Sequence, residues 1–342
     1  SGNRGDRVTQ RIQKIGVIGD GSWGTTLAVY LAKKGYAVKL WGPFPEYIRQ
    51  MRQNHYNPKF LPGVRFPEKL TLVEKLDVAL QESDLIVFAI PSQYASKILR
   101  KISKTGVKLS KRIFVSVTKG IEKTSLRRIS EIVRAELGNI PFAVLSGPTI
   151  SAEVARGIPT TAVVASRNMR IARKVQEVFN SDSFRIYTNT DVVGVELGGS
   201  IKNIIAIACG VCDGLGLGTN AKAAIVTRGL AEMARLGTAL GGKAKTFSGL
   251  TGLGDLVTTC FSPQSRNRSV GEQLGKGKPI KQIVGAMDMV AEGVETAKGV
   301  YRLSQKHKIP MPITAEIYQI IVRNKKPGDA LTDLMSRKVK AE

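Results

Sequence analysis

Cysteine, histidine and aromatic residues are scarce in this chain. Among its 342 residues are three cysteines, two histidines and 6% aromatic residues. An odd, sparse set of cysteines argues against a disulfide framework and is typical of a reducing compartment, so we expect a cytoplasmic protein. Cys209 and Cys212 form a C-x-x-C, but within an apolar, helix-like stretch that favours a structural role over a redox or metal-binding one. No metal-ligand cluster surrounds His55 or His307, so no metal is expected.

Long apolar runs are absent as well. The longest, residues 201–211, is interrupted by Lys202 and Asn203 and falls short of the ~18–20 residues needed to cross a bilayer. We therefore expect no membrane span, and the polar first residues show no secretory signal. A hydrophobic fraction of 42% and a charged fraction of 23% are ordinary for a globular protein. At roughly 100–200 residues per domain, the length indicates two domains.

Acidic residues are scarce relative to basic ones. The chain has 27 Asp and Glu against 52 Lys and Arg, a formal net charge of +25. Such a charge attracts polyanions and small anionic substrates alike, so motifs must separate the two. Residues 97–128 hold eleven Lys and Arg but a single acid, Glu122; the stretch is either a solvated face or a flank that attracts anions. Because its one aromatic, Phe114, lies in an apolar run and cannot stack on bases, we expect no specific nucleic-acid partner.

The first part of the chain alternates between apolar runs and amphipathic segments. This alternation predicts an α/β domain with a Rossmann-type, doubly wound parallel sheet. The strands are expected at 14–19, 37–41, 84–90, 112–117, 142–145 and 160–165, with helices at 22–34, 92–101 and 126–137. Beyond residue 190 helical periodicity dominates, at 192–211, 221–240, 266–274, 293–305 and 313–323. We predict two domains, an α/β domain at 1–190 and an all-helical domain at 191–342.

A glycine-rich loop follows the first predicted strand. Gly19-Asp20-Gly21-Ser22-Trp23-Gly24 is a G-x-G-x-x-G that opens a predicted helix. In a dinucleotide fold the first glycine, Gly19, permits the tight turn, and Gly21 lets the backbone approach a pyrophosphate. Gly24 allows close packing of helix on strand, and the helix N-terminus offers N–H groups to the phosphates. The motif predicts dinucleotide binding; an ordinary glycine-rich turn is the alternative.

The end of the second predicted strand should contact the adenosine ribose. Residues 40–46 read Leu-Trp-Gly-Pro-Phe-Pro-Glu, with no acid at the strand end for a 2′-hydroxyl and no arginine for a 2′-phosphate. The choice between NAD and NADP therefore stays open. Phe44 either stacks on the adenine or packs within the loop.

A lysine interrupts the apolar helix that begins the second domain. Lys202 lies among Ile201, Ile204 and Ile205, where its charge is costly to desolvate without a partner. Burial lowers the pKa of a lysine, so such a group can donate or accept a proton near neutrality. The alternative is a lysine whose amine reaches the surface. Asp255, at the end of a glycine-rich turn, is a plausible ion-pair partner, and Asn203 is a second polar group in the helix.

Three further polar segments are candidates for holding an anionic substrate. Ser265-Arg266-Asn267-Arg268 stands at a predicted helix start, where arginine and free amides suit a phosphate; alone it reads more often as a helix cap. Thr118-Lys119-Gly120 and Ser146-Gly147-Pro148-Thr149 follow predicted strands. Open α/β sheets bind ligands at the carboxyl ends of their strands, so Lys119 and Gly147 are expected to converge on the cleft of the glycine loop.

In combination these motifs resemble the soluble, bacterial-type NAD(P)-dependent glycerol-3-phosphate dehydrogenases. The matching segments occur in the family's order along nearly the whole chain. They are G-D-G-S-W-G (19–24), I-P-S-Q-Y (90–94), V-T-K-G (117–120), L-S-G-P-T (145–149), E-L-G-G-S-I-K-N (196–203), G-L-T-G-L-G-D-L (249–256), S-R-N-R (265–268) and V-A-E-G-V-E-T (290–296). Their joint occurrence is far more specific than any one of them.

The resemblance implies a dinucleotide-binding domain at 1–190, a substrate-binding domain at 191–342 and a homodimer. It implies hydride transfer between NAD or NADP and a phosphorylated substrate, interconverting dihydroxyacetone phosphate and sn-glycerol 3-phosphate for glycerophospholipid synthesis. It assigns acid–base catalysis to Lys202 with Asp255 and Lys119 beside it. Residues matching substrate positions are Lys119, Gly147, Thr149, Lys202, Asn203, Asp255, Ser265, Arg266 and Asn267. Residues matching cofactor positions are Ser22, Trp23, Tyr94, Lys119, Ser151, Arg266, Val290 and Glu292. The cofactor candidates from the motif and the strand end are Gly19, Gly21, Gly24 and Phe44.

One departure from the family pattern bears on the cofactor. Gly42-Pro43 stands where bacterial members often carry an arginine, so the resemblance does not decide between NAD and NADP. Two other functions remain as alternatives. A related two-domain dehydrogenase, such as a hydroxyacyl or ketoacid reductase, would act on unphosphorylated substrates. A basic nucleic-acid-binding protein on a Rossmann scaffold would bind polyanions with a steep salt dependence.

Overall fold

The computed structural model describes residues 11–287 and 291–339, which form two compact units. The first unit comprises the described residues up to Thr118 together with Ile129–Val192. The second comprises Lys119–Arg128 and the described residues from Val193 onward. The sequence predicts one boundary near residue 190, whereas the short segment Lys119–Arg128 also packs with the second unit. The segment packs there through an apolar side chain, since Ile121 is 1% exposed within the core of that unit.

The first unit is built on an eight-stranded sheet, as expected from the alternating pattern. The strands of the unit are β1 (Lys14–Ile18), β2 (Ala37–Trp41), β3 (Tyr56–Asn57), β4 (Leu61–Arg65), β5 (Leu70–Val73), β6 (Leu85–Phe88), β7 (Ile113–Ser116), β8 (Phe142–Ser146), β9 (Thr160–Ala165) and β10 (Phe184–Asn189). The order in the sheet is β10-β9-β8-β7-β6-β1-β2-β5, and β3 pairs with β4 in a separate two-stranded sheet. The predicted α/β class is confirmed.

The sheet is mostly parallel rather than wholly so. Strand β9 runs antiparallel to β8, with Leu145 opposite Val164. A parallel crossover needs a dozen or more residues, usually including a helix that covers the sheet. The connection 147–159 is long enough, but its helix Ser151–Ala155 has only five residues and is too short to run back along the sheet, and the chain returns in the opposite direction.

Helices cover both faces of this sheet. They are α1 (Ser22–Lys33), α2 (Pro45–Asn54), α3 (Leu76–Leu80), α4 (Ser92–Lys104), α5 (Ile129–Leu137), α6 (Ser151–Ala155) and α7 (Met169–Phe179). Strand β6 illustrates the result: Leu85 and Val87 belong to one apolar cluster, Ile86 and Phe88 to another. Because successive side chains point to opposite faces, a strand covered on both sides is apolar throughout, which is why these runs show no alternation in the sequence.

Apart from the Lys119–Arg128 segment, the second unit is helical. Its helices are α8 (Val192–Gly214), α9 (Thr219–Ala239), α10 (Ala244–Phe247), α11 (Asp255–Phe261), α12 (Arg266–Gly275), α13 (Ile280–Gly285), α14 (Glu292–Lys306), α15 (Pro312–Arg323) and α16 (Pro327–Met335), with a π-helical turn at Leu250–Gly254. The turn expected at 249–255 is therefore helical and continues directly into α11. Gly252 makes this possible, since a Cβ there would lie 1.9 Å from the carbonyl oxygen of Phe247.

Helix α8 is the central helix of the second unit. By length and composition it could cross a membrane, contrary to the expectation that no segment is long enough. However, 94% of its most apolar window is buried inside the protein. Its side chains, such as Ile201 and Ile205, pack in the main core of the unit, which accounts for their hydropathy without a bilayer.

A buried carboxylate joins two helices of this unit. Glu232 on α9 is 2% exposed and accepts hydrogen bonds from the backbone N–H groups of Ile313 (2.6 Å) and Thr314 (3.2 Å). It also accepts one from the Thr314 hydroxyl at 3.0 Å. The first N–H groups of a helix lack partners within the helix, so Glu232 caps the start of α15 from a distant position.

Replacing Glu232 with alanine should therefore destabilise the protein. Three donors would lose a buried acceptor, at a cost of about 3 kcal/mol. We expect the thermal unfolding midpoint, followed by circular dichroism, to fall by several degrees. The control is Glu177→Ala on α7, whose side chain is exposed and whose removal should change stability by less than about 0.5 kcal/mol. Equal midpoints for the two variants would contradict the capping role.

Candidate active site

The glycine loop of the first unit connects β1 to α1. Gly19 has φ +121°, a conformation that side chains rarely adopt. A Cβ on Gly24 would lie 1.9 Å from the carbonyl oxygen of Gly19, so only glycine permits this close packing of helix on loop. At Gly21 the situation is reversed, because an added Cβ would meet no described atom within 4 Å. Packing within the protein therefore does not require glycine at position 21, whereas the close approach of a ligand to the backbone would require it.

Buried polar side chains hold this loop in place. The carbonyl oxygen of Asp20 accepts hydrogen bonds from the Thr25 hydroxyl (3.0 Å) and the Asn57 side-chain amide (2.8 Å). The same amide donates to Thr25 at 2.8 Å. Sequence reasoning missed both residues. Thr25 could have been suspected from its place beside the motif, but Asn57 lies in β3 and carries no signal of its own.

The loop geometry fits a dinucleotide. The N–H groups of Ser22, Trp23 and Gly24 lie in the first turn of α1, where helical N–H groups have no partner within the helix and the dipole favours negative charge. The open side of Gly21 admits the phosphates to these donors. The residues present therefore suit the pyrophosphate of NAD or NADP.

The remaining predicted cofactor residues of the first unit lie at element starts. Phe44 immediately precedes α2 and is 65% exposed, which argues against packing within the loop. Tyr94, in the first turn of α4, is 51% exposed. Ser151 begins α6 and accepts a bond from the Thr26 hydroxyl through its carbonyl oxygen. Each of these cofactor roles stays a prediction.

Two predicted substrate residues also lie in the first unit. Gly147 and Thr149 follow β8, at the same edge of the sheet as the glycine loop after β1. The Thr149 hydroxyl donates to the carbonyl oxygen of Gly147 at 3.2 Å, so the turn is internally bonded.

In the second unit, Asp255 is shared by the two predicted lysines. Its Oδ1 lies 2.5 Å from Nζ of Lys202, and its Oδ2 lies 2.8 Å from Nζ of Lys119. The side chains of Lys202 and Asp255 are 6% and 2% exposed, and that of Lys119 is 15% exposed. The sequence predicted the Lys202–Asp255 pair but not that the same carboxylate also holds Lys119. The alternative of a lysine reaching the surface is excluded by the burial of Lys202.

A threonine completes the surroundings of Lys202. The Lys202 ammonium donates to the Thr259 hydroxyl at 2.5 Å, and that hydroxyl donates to the carbonyl oxygen of Asp255 at 2.6 Å. Asp255 and Thr259 are four residues apart on α11, so they share one helix face. Sequence reasoning missed Thr259, although this spacing from Asp255 was the available signal.

Burial sets the proton affinity of Lys202. Desolvation lowers its pKa most, Asp255 raises it and Lys119 lowers it, and the balance brings the pKa from 10.5 to about 8. A lysine in this range exchanges protons near neutral pH, as a general acid and base must.

The Lys119 segment is fixed at both of its ends. Arg128 forms an ion pair with Glu196 of α8 at 2.9 Å, with side chains 13% and 3% exposed. At the other end Lys119 contacts Asp255. Ion pairs so little exposed to water are screened weakly, and both contacts tie the segment to the helices that carry Lys202 and Asp255.

The predicted phosphate-binding segment forms the start of α12. The Ser265 side chain accepts a bond from the backbone N–H of Arg268 at 3.2 Å and so caps the helix. Asn267 is buried, and its Oδ1 accepts a bond from the N–H of Gly293 at 3.0 Å. Arg266 is exposed at the first position of the helix. Ser265 and Asn267 thus have structural roles in the fold, and Arg266 is the member best placed to meet an anion.

The other predicted residues of this unit are less informative. Glu292 begins α14, and Asn203 is 4% exposed on α8 beside Lys202. Val290 lies outside the residues that the structure describes. Within 11–287 and 291–339, no group of three His, Cys, Asp or Glu side chains could hold a metal ion.

The cysteines belong to the apolar core of the second unit. Cys209 and Cys260 are fully buried, and Cys212 is 5% exposed. A hydrogen bond to Cys260 and desolvation raise the pKa of the Cys209 thiol, and burial raises the pKa of Cys212 to about 11. Because the thiolate is the reactive and metal-binding form, these environments agree with a structural role for the C-x-x-C.

A dinucleotide-type sheet followed by a helical unit with a buried lysine defines the chain as a member of the two-domain NAD(P)-dependent dehydrogenases. Two family models make the assignment specific. The model of the NAD-dependent glycerol-3-phosphate dehydrogenase N-terminus matches residues 14–172, and that of the C-terminus matches residues 191–332. The chain belongs to the NAD-dependent glycerol-3-phosphate dehydrogenase family.

Relatives and solved structures agree with this assignment. A glycerol-3-phosphate dehydrogenase (NAD(P)+) of Prosthecochloris aestuarii is 48% identical over 331 residues, covering 96% of this chain and 99% of the relative. One of Citrifermentans bemidjiense is 48% identical over 333 residues, with the same shares covered. The crystal structure of glycerol-3-phosphate dehydrogenase from Coxiella burnetii superposes with a TM-score of 0.92 at 40% identity, covering 95% of this chain and 99% of that one.

The loop geometry leads to a prediction that separates ligand contact from packing. In Gly21→Val the new side chain meets no protein atom near its Cβ, so the thermal midpoint should stay close to that of the unchanged protein. The valine should nevertheless block the phosphates, and the affinity for NADH, measured by nicotinamide fluorescence, should fall at least about tenfold. In Gly24→Val the clash lies within the protein, so the midpoint itself should fall. A Gly21→Val protein that binds NADH normally would contradict the assignment.

Proposed function

We propose that the chain is a glycerol-3-phosphate dehydrogenase that interconverts dihydroxyacetone phosphate and sn-glycerol 3-phosphate. The observation that carries the proposal is the carboxylate of Asp255 between the buried Lys202 and the partly buried Lys119, in a chain whose family members are named for this reaction. A nicotinamide cofactor, when bound, supplies the hydride that is added to the carbonyl carbon of the ketone. The product serves as the backbone of glycerophospholipids.

Lys202 is the proton donor and acceptor in this proposal. During reduction, negative charge develops on the carbonyl oxygen, and the ammonium of Lys202 transfers a proton to it. Two of its N–H bonds are directed at Asp255 and Thr259, which leaves the third for the substrate oxygen. In the oxidative direction the neutral amine removes the proton from the substrate hydroxyl.

Lys119 stabilises the same charge without transferring a proton. Its ammonium is anchored by Asp255, so a positive charge stands near the substrate oxygen before the reaction begins. Such preorganised charge is worth more in a water-poor site than in solution, because it need not reorient as the transition state forms.

Arg266 is the proposed contact for the substrate phosphate. It lies at the start of α12, where its guanidinium and the helix amides together favour an anion. A phosphate held away from the reacting carbon would orient the carbonyl for reaction. Gly147 and Thr149 of the first unit and Asn203 of the second stay predicted substrate residues.

Three further properties belong to the proposal. The location and the absence of a nucleic-acid partner are inferred from the composition of the chain, and the dimer from its family. We place the enzyme in the cytoplasm, assign it a homodimeric assembly and expect no specific nucleic-acid partner. The related dehydrogenases share only the fold: a D-mandelate dehydrogenase superposes with a TM-score of 0.60 at 13% identity.

Lys202→Ala should abolish turnover while preserving cofactor binding. Loss of a general acid costs about 10²–10⁴-fold in rate, and the glycine loop of the first unit is untouched by the change. The measurements are NADH oxidation with dihydroxyacetone phosphate and NADH affinity by fluorescence. The matched control is Lys281→Ala on α13, where the lysine is exposed. Near-normal kcat in Lys202→Ala would show that another group carries the proton.

The proton affinity of Lys202 predicts opposite pH profiles for the two directions. Reduction needs the ammonium, so its kcat should fall as the pH rises through about 8. Oxidation needs the neutral amine, so its kcat should rise over the same interval. Stopped-flow measurement of hydride transfer between pH 6.5 and 9.5 tests this, and profiles that are flat in both directions would refute it.

Arg266→Ala should impair the phosphorylated substrate selectively. Charge-assisted hydrogen bonds contribute about 1.5–3 kcal/mol, so kcat/KM for dihydroxyacetone phosphate should fall roughly 10- to 150-fold. The low activity with unphosphorylated dihydroxyacetone should not change. Lys276→Ala, an exposed lysine at the other end of the same helix, is the control. Equal use of both substrates by the unchanged enzyme would instead favour a related dehydrogenase.

A further inference from the structure

The glycine loop contains a buried acid that the proposed mechanism does not use. Asp20 is 7% exposed, and its Oδ2 is buried and accepts no hydrogen bond from the residues that the structure describes. Desolvation raises the pKa of this carboxyl from 3.8 to about 6, so it is largely ionised at neutral pH. A buried, unpartnered carboxylate is costly, and it stands in a loop whose amides suit phosphates.

The carboxylate lies directly over the end of the second strand. A Cβ on Gly42, the residue after β2, would lie 2.2 Å from both Cγ and Oδ2 of Asp20. Gly42 therefore leaves the space that the Asp20 side chain occupies. Dinucleotide folds commonly carry an acid at this strand end, where it contacts the 2′-hydroxyl of the adenosine ribose. Here the strand end lacks the acid, and the glycine loop places one at the same position.

The position of this carboxylate is fixed by its own backbone. The carbonyl oxygen of Asp20 is held by Thr25 and Asn57, and the N–H of Gly19 donates to the carbonyl oxygen of Trp41 at 2.8 Å. The loop is thus bonded both to α1 and to the end of β2. The main chain of Asp20 cannot move away from the strand end without breaking these contacts.

The charges nearby on α2 do not favour a 2′-phosphate. Residues 42–46 contain no lysine or arginine and end in Glu46. Arg49 donates to Glu46 (3.3 Å) and Glu74 (2.7 Å), and Arg52 also donates to Glu74 (3.2 Å). Both arginines are therefore engaged by carboxylates.

We propose that Asp20 is a specificity-determining residue that selects NAD over NADP. Its carboxylate accepts a hydrogen bond from a hydroxyl group of the adenosine ribose and repels the 2′-phosphate of NADP. This inference rests on the proposed function, because it requires that the loop bind a dinucleotide.

The test measures binding of NADH and NADPH separately from turnover. The full-length enzyme and its Asp20→Asn and Asp20→Ala variants are titrated with each cofactor by nicotinamide fluorescence, with thermal shifts as a second readout. We expect the unchanged enzyme to bind NADH more tightly than NADPH. Both variants should lower the ratio of the NADPH Kd to the NADH Kd about tenfold, because the charge that repels the 2′-phosphate is gone. Asp20→Asn, which keeps an acceptor, should retain more NADH affinity than Asp20→Ala.

A matched control and a relocation variant sharpen the result. Glu82→Gln removes one exposed charge from the loop before β6, at the edge of the sheet opposite the glycine loop, and should leave the ratio unchanged. In Asp20→Ala/Gly42→Asp the acid moves to the strand end and the alanine frees the space for it. This double variant should restore the preference for NADH that the single variant loses.

The outcomes distinguish this inference from the proposed function. If the unchanged enzyme binds neither cofactor, the proposed function fails. If it binds both and the ratio in Asp20→Asn and Asp20→Ala equals that of the unchanged enzyme, or if the unchanged enzyme prefers NADPH, only the role of Asp20 is overturned. If the variants lose stability without a change in the ratio, Asp20 merely fills the space above Gly42. The single variants decide the question even if the double variant fails to fold.

Discussion

The carboxylate of Asp255 is the contact on which the reactive part of the second unit depends. One of its oxygens holds Lys202 on α8, and the other holds Lys119 on a segment distant in sequence. Without this anion the buried ammonium of Lys202 would lie near that of Lys119 with their repulsion uncompensated, and burial would favour loss of the proton from Lys202. The single acid therefore allows two cations to coexist where the proposed reaction would develop negative charge.

Much of this arrangement was predictable from the sequence because burial leaves local signals. The strands β1, β6 and β7 can be recognised in the sequence because a strand covered on both faces is a continuous apolar run without polar alternation. Lys202 can be recognised because it is a charged residue among isoleucines. The glycine motif predicts its loop because each of its glycines has a steric reason, two within the protein and one toward a ligand. These signals lie within a few residues of the feature they report.

Features that depend on distant pairs were not predictable in this way. Asn57, in a short strand without a recognisable pattern, donates a hydrogen bond to the glycine loop. Asn267 accepts one from the N–H of Gly293 at the start of α14. The relation of Asp20 to Gly42 appears only when the loop and the strand end are brought together. Strand β10, whose exposed and buried residues alternate, was overlooked because the expected strands were continuous apolar runs.

The placement of Lys119–Arg128 has a consequence for how such proteins can be divided. The polypeptide enters the second unit twice, first for these ten residues and again from Val193 onward. The helical unit is thus not a contiguous stretch of chain, and a cut near residue 190 would deprive it of Lys119 and of the apolar contacts of Ile121. Recombination that exchanged only the C-terminal halves of two relatives would combine Lys119 from one parent with Asp255 from the other. The segment Lys119–Arg128 and the chain from Val193 onward must therefore be inherited together or remain compatible.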